Sequence, residues 1–279
     1  MKREELSLKQ IQQESLNILI KIDEICKNEN LVYYLAYGTL IGAVRHNGII
    51  PWDDDIDIMM PRSDYDKLEA YFIRYRDELL PFQMFGPNIN AQYPYMINRI
   101  SNSDYIIETE NEKTYGLGLF IDIYPLDGLG NTLREAERRK AKGCRLASLC
   151  FLSTRLKFTK GNTKSFVKTI VKFPAFYISK IIGKKYFSKK LHNLSKIQKY
   201  DNSVYVGCVV WAADDGHKGV FKREWLGKGR LHEFEGLSFN IPNDFDSILK
   251  KLYGDYMTPP PERECVGHHF YKAYRSILK

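Results

Sequence analysis

The sequence predicts a mixed α/β protein: a sheet core with flanking helices, carrying a basic helical insert. Three observations predict it. Apolar runs at Leu31–Tyr37, Leu117–Tyr124 and Tyr205–Trp211 read as buried strands, separated by stretches of helical periodicity. Asp55-Ile56-Asp57-Ile58 alternates polar and apolar residues with the period of a strand. From Arg138 to Tyr200 there are eighteen Lys or Arg and no Asp or Glu, whereas the rest of the chain has 24 Lys or Arg against 34 Asp or Glu. The chain therefore divides into a core at 1–137, a basic helical insert at 138–200 and a part at 201–279 that completes the core.

Leu8–Asn28 reads as a helix because Ile11, Ser15, Ile18, Ile22 and Ile25 share one face. Gly38-Thr39 opens a short helix that runs to Arg45. Its first backbone N–H groups and the Thr39 hydroxyl suit a phosphate, and the small residues Gly38, Gly42 and Ala43 permit close approach. Ser63 is expected to cap a helix running to about Leu80. Strands are expected near Phe82–Phe85, Tyr95–Ile100 and Tyr105–Thr109. Thr132 is positioned to cap a helix from Leu133 to about Lys157, with a break at Gly161-Asn162. Beyond the insert, a strand is expected near Gly219–Phe221, and Leu231–Ile241 reads as strands joined by a turn at Glu235-Gly236. Asn243 or Asp244 caps a helix over Phe245–Tyr253, and Pro259–Pro261 stiffen the segment after it.

The chemistry concentrates at Asp53, Asp54, Asp55 and Asp57. Strand alternation puts Asp55 and Asp57 on one face, about 7 Å apart along the chain, where they repel unless a cation lies between them. Oxygen-only ligands of this kind suit Mg²⁺ or Mn²⁺; the plainer reading is an acidic surface turn. Asp122, amid Phe120, Ile121, Ile123 and Tyr124, is expected to complete a three-carboxylate site, or else to pair with an arginine. Asp53 lies on the approach turn and carries a smaller expected role. Asp127, after Pro125, reads as turn chemistry. Arg99, in an apolar run, serves either as a structural arginine or as a phosphate ligand. The pair His268-His269 reads either as a metal or phosphate contact or as structural.

No stretch of about 18 apolar residues offers a membrane span, and Met1–Gln10 leads into a charged amphipathic pattern rather than a signal peptide. The five cysteines are scattered and form no CxxC, so reduced thiols and a cytoplasmic location are expected. In the insert, Phe166, Ile170, Phe173, Phe176, Tyr177, Ile181 and Ile182 interleave with lysines. Aliphatic groups among the aromatics favour an interfacial segment on an anionic membrane over a nucleic-acid stripe. A solvated lysine-rich subdomain is the alternative.

The block from Tyr34 to Tyr65, with Phe120–Gly128 and Leu252–Arg263, resembles the LicD family of bacterial phosphocholine transferases, members of the nucleotidyltransferase-fold superfamily. The superfamily's Gly-[Gly/Ser] corresponds to Gly38-Thr39 and its Asp-h-Asp-h to Asp55–Ile58, at a slightly longer spacing. The segment from about Arg145 to Tyr200 lies outside the resemblance. The resemblance implies that Asp55, Asp57 and Asp122 bind metal. It implies CDP-choline as donor and a glycan or polyol-phosphate hydroxyl as acceptor; the basic insert suggests docking on the inner membrane face, where that acceptor would be lipid-linked. Substrate-binding candidates are Gly38, Thr39, Arg45, Arg62, Arg99, Arg263 and His268, with Trp52 and nearby tyrosines facing the quaternary ammonium. Alternatives are another CDP-linked alcohol such as ribitol, nucleotidyl transfer to a small molecule or RNA, and a non-catalytic membrane- or polymer-binding role.

Overall fold

A central strand of twelve residues, Leu119–Gly130, is buried along its whole length and organises the rest. The structure is a computed structural model that describes residues 2–159, 166–211, 216–265, 267 and 271–277. In chain order the strands are β1 (Lys2–Glu5), β2 (Tyr34–Leu35), β3 (Asp57–Pro61), β4 (Phe82–Phe85), β5 (Asn98–Asn102), β6 (Tyr105–Thr109), β7 (Leu119–Gly130), β8 (Tyr205–Gly207), β9 (Phe221–Lys222), β10 (Arg230–Phe234), β11 (Leu237–Ile241) and β12 (Tyr271–Ile277). The helices are α1 (Leu8–Asn28), α2 (Tyr37–His46), α3 (Arg62–Arg74), α4 (Leu133–Thr154), α5 (Phe166–Ile182), α6 (Lys184–Ser195), α7 (Arg223–Leu226) and α8 (Phe245–Tyr253).

The main sheet runs β2-β3-β7-β5-β4, with β8 and β9 joining beyond the far end of β7. Only the β3–β7 pairing is parallel; the others are antiparallel, so the sheet is mixed as expected. A second sheet orders β1-β12-β6, and β10-β11 forms a hairpin. Ile56, Ile58, Ile121 and Ile123 are fully buried and join α1's Ile18, Leu19 and Ile22 in the main core. Burial of such side chains stabilises by about 1.5–3 kcal/mol each.

Local signals explain several boundaries. Ser7 and Gln10 form a reciprocal capping box at the start of α1. Thr132 accepts from Glu135 N at the start of α4, and Asp244 accepts from Ser247 N at α8. The β10–β11 turn places Glu235 (φ 52°) and Gly236 (φ 72°) in the left-handed region.

Several expectations need correction. The Leu31–Tyr37 strand shrinks to two residues, and β3 begins at Asp57, leaving Asp55 in the loop before it. Ser63 does not cap α3, whose cap position is Pro61 and which ends at Arg74. The Tyr205–Trp211 strand stops at Gly207. Asp127 is not in a turn: β7 continues through Pro125, and Asp127 pairs across from Gly207. Proline is tolerated there because β5 pairing ends at Ile123 and β8 pairing starts at Asp127. The expected break at Gly161-Asn162 and the pair His268-His269 lie outside the described residues, as do the side chains of Phe166 and Ile170.

Candidate active site

Strand register builds the site. Asp57 on β3 pairs with Asp122 on β7, and Asp122 pairs with Arg99 on β5, so three side chains share one face on adjacent strands. Arg99 forks onto Asp122, with Nε 2.5 Å from Oδ1 and Nη2 3.3 Å from Oδ2. The guanidinium lies 4.0 Å from the ring centres of both Tyr95 and Phe120, which hold it between them. Asp122 is thus the arginine-paired carboxylate that the sequence allowed as an alternative, and Arg99 is its partner. Asp122 Oδ1 accepts from Arg99 Nε, whereas Oδ2 accepts from both Arg99 Nη2 and the Tyr124 hydroxyl.

Asp57 has no such counter-charge. Its backbone N–H donates to the Thr39 hydroxyl at 2.8 Å, but its Oδ1 is buried without a hydrogen-bond partner among the described residues. Burial, and then the charges of Asp55, Asp122 and Asp53, raise its pKa well above the ordinary carboxyl range; Arg99 offsets part of this. The acidic loop before β3 supplies the rest. Oxygens of Asp53, Asp54 and Asp55 lie within 4.8 Å of one another. Gln12 on α1 fixes that loop by donating to Asp53 O at 2.8 Å. The Asp53 carboxylate comes so close to the start of α2 that a Cβ on Gly38 would meet its Oδ2 at 2.8 Å. Asp53, expected to be peripheral, is buried and belongs to the cluster.

Among the described residues, Asp53, Asp54, Asp55, Asp57 and Asp122 gather around the Arg99 guanidinium. Hard oxygen donors around an orphaned buried carboxylate oxygen fit a divalent cation such as Mg²⁺. The cation-free protein should lose stability as pH rises through the raised pKa of Asp57. A proton kept only in the folded state stabilises it below that range and stops doing so above it. Cation binding should therefore release protons. Calorimetry with MgCl₂ in buffers of different ionisation enthalpy measures this, and buffer-independent heats would contradict it.

Aromatic rings border the cluster. Tyr124 lies two residues from Asp122 on the same strand face, and its hydroxyl is 3.5 Å from Asp122 Oδ2. Tyr37 and Trp211 meet its ring nearly at right angles, with centroids at 5.0 and 5.8 Å and interplanar angles of 76° and 77°. Tyr37 and Trp211 are half-buried, and Tyr37 holds a left-handed backbone (φ 47°) at the start of α2. Tyr271 feels the charges of Asp54 and Asp55, which add to burial in raising its pKa. Of these rings, Tyr124 was legible from its spacing to Asp122. Trp211 carries no sequence signal that ties it to the site.

The other sequence candidates sit elsewhere or bind protein groups. Arg45, near the far end of α2, donates to Tyr256 O at 2.8 Å and to His46 at 2.9 Å. Arg62 donates to Asp127 Oδ1 at 2.7 Å, and that buried aspartate also accepts from Val209 N. Trp52 packs edge-on against His46, with centroids 6.2 Å apart. Arg263 is exposed, 3.6 Å from Glu264. Thr39 uses its hydroxyl to hold Asp57.

Neighbouring carboxylates on a mixed sheet, beside a helix N-terminus, define a nucleotidyltransferase-type site, and residues 30–136 match the family model described as LicD/FKTN/FKRP, nucleotidyltransferase domain. The chain is 30% identical over 273 residues to the lipopolysaccharide cholinephosphotransferase LicD of Haemophilus influenzae, covering 96% of this chain and 98% of that protein. It is also 32% identical over 123 residues to an uncharacterized protein of Rickettsia prowazekii (43% of this chain, 41% of that one). A third relative, an uncharacterized protein of Rickettsia typhi, is 35% identical over 123 residues (44% and 35%). The chain belongs to the LicD family.

Proposed function

We propose that the chain moves phosphocholine from CDP-choline to a hydroxyl of a bacterial surface glycan, of lipopolysaccharide or teichoic-acid type, releasing CMP. The observation that carries this reading is the meeting of two unlike surfaces. The orphaned carboxylate of Asp57 suits the cation that accompanies a pyrophosphate, and the ring corner of Tyr37, Tyr124 and Trp211 suits a quaternary ammonium. The name of the Haemophilus influenzae relative supports the same substrate class.

Asp55, Asp57 and Asp122 would hold the cation, with Asp53 and Asp54 beside them. When bound, a divalent cation supplies Lewis-acid charge for the pyrophosphate. The chain's own residues do the rest. Arg99 pairs with Asp122 and fixes its orientation, and Thr39 fixes the strand at Asp57. The acceptor hydroxyl attacks the phosphorus of phosphocholine, the bond to CMP breaks, and the hydroxyl proton passes to a carboxylate of the cluster.

Incubation with MgCl₂ and lipopolysaccharide, offering CDP-choline, CDP-ethanolamine, CDP-ribitol or nucleoside triphosphates in turn, tests the reading. CMP release from CDP-choline is expected. Pyrophosphate from a triphosphate, with no CMP, would replace it by nucleotidyl transfer. Loss of a cation–π contact worth about 0.5–2 kcal/mol predicts that Trp211→Leu raises the KM for CDP-choline from a few-fold to about 30-fold. The KM for CDP-ethanolamine, whose ammonium is hydrated by hydrogen bonding, should change less.

A further inference from the structure

The described part of α5 exposes most of its apolar side chains. Helices α5 and α6 both lie against α4. Among the described side chains of α5, Phe176 and Ser179 are buried, whereas Phe173, Tyr177, Ile178, Ile181 and Ile182 are exposed. At 100° per residue these five cover about half the helix circumference, with Pro174 among them. Ile181 is 85% exposed, an unusual position for an isoleucine. No described helix is long and apolar enough to cross a membrane, so α5, about 25 Å long, would have to lie flat on one.

The charge around this face selects its occupant. Arg138–Tyr200 holds eighteen Lys or Arg and no acidic residue. On the next helix, Lys185, Lys189 and Lys190 are exposed beside Tyr186, whose ring lies 5.5 Å from the Lys190 ammonium. A second copy docked through the same face would oppose two uniformly basic segments. A nucleic acid would satisfy the lysines but give the isoleucines nothing to enter, because stacking on bases requires flat rings. An anionic lipid surface takes both, the lysines at the headgroups and the isoleucines in the acyl boundary.

We propose that the exposed apolar face of α5, with the lysines of α6, docks the protein flat on an anionic membrane surface. The inference is independent of the donor assigned above, because no residue of this face belongs to the candidate active site.

Flotation of the full chain with phosphatidylcholine vesicles, with and without 30% phosphatidylglycerol, tests it. At about 0.1 M salt, where the Debye length is about 10 Å, at least tenfold stronger partition to the anionic vesicles is expected. Part of that binding should survive 1 M salt through the inserted side chains. The double variant Ile178→Asp/Ile181→Asp should lose at least tenfold of the partition, with its circular-dichroism spectrum and its turnover of soluble donor unchanged. Equal binding to neutral and anionic vesicles at low salt would overturn the proposal. Binding unaffected by the double variant would also overturn it, since charge alone would then suffice. Concentration-dependent self-association abolished by the same variant would reassign the face to a protein partner.

Discussion

Asp57→Asn is expected to abolish transfer while leaving the fold as stable as before, or more so. A bound divalent cation contributes several kcal/mol of transition-state stabilisation, and about 4 kcal/mol corresponds to about 10³-fold in rate. The same substitution removes a buried carboxylate whose Oδ1 has no partner and whose ionisation is opposed by Asp55, Asp122 and Asp53. Relief of that repulsion should hold or raise the melting temperature in the absence of Mg²⁺. Thermal unfolding beside a CMP-release assay measures both. Near-normal turnover would remove Asp57 from the reaction, and a large fall in melting temperature would make its role structural.

Arg99→Leu is expected to be the most destabilising single change at the site. It leaves Asp122 buried among carboxylates with no counter-charge, and breaking one side of a buried pair costs about 3–5 kcal/mol. It also empties the space between the Tyr95 and Phe120 rings. Asp122→Asn in the same background should recover part of the stability, because the uncompensated charge goes with it. Urea unfolding of the two single variants and the double gives the coupling. Additive effects would mean that the 2.5 Å contact contributes little.

Sequence legibility followed the range of the signal. Helix α1, the Thr132 cap, the Asp244 cap and the Glu235-Gly236 turn rest on residues a few positions apart, and all were readable. The pairing of Arg99 with Asp122 depends on strand register across 23 positions, and no local pattern specifies it. Alternation put Asp55 and Asp57 on one strand face, but β3 begins at Asp57 and leaves Asp55 in the loop; it is β3–β7 pairing that brings Asp57 to Asp122. The depth of Asp53 was hidden because its burial comes from Gly38 and from Gln12 on α1, neither adjacent in sequence. Asp127 read as a turn residue because Pro125 suggested that the strand had ended, so its pairing with Arg62 was not legible.

That proline has a consequence for water. Asp122 N donates toward β3, to Ile56 O, so by alternation the residues at 121, 123 and 125 direct their backbone nitrogens toward the opposite edge. At 125 that edge is the gap between the end of β5 and the start of β8. Any other residue there would present an N–H with no strand opposite it, an invitation to a solvent molecule in a fully buried stretch. Proline has no hydrogen to offer. The gap can stay dry three residues from Asp122, and the low-dielectric surroundings that strengthen the grip of Arg99 on that carboxylate need no lid on this side.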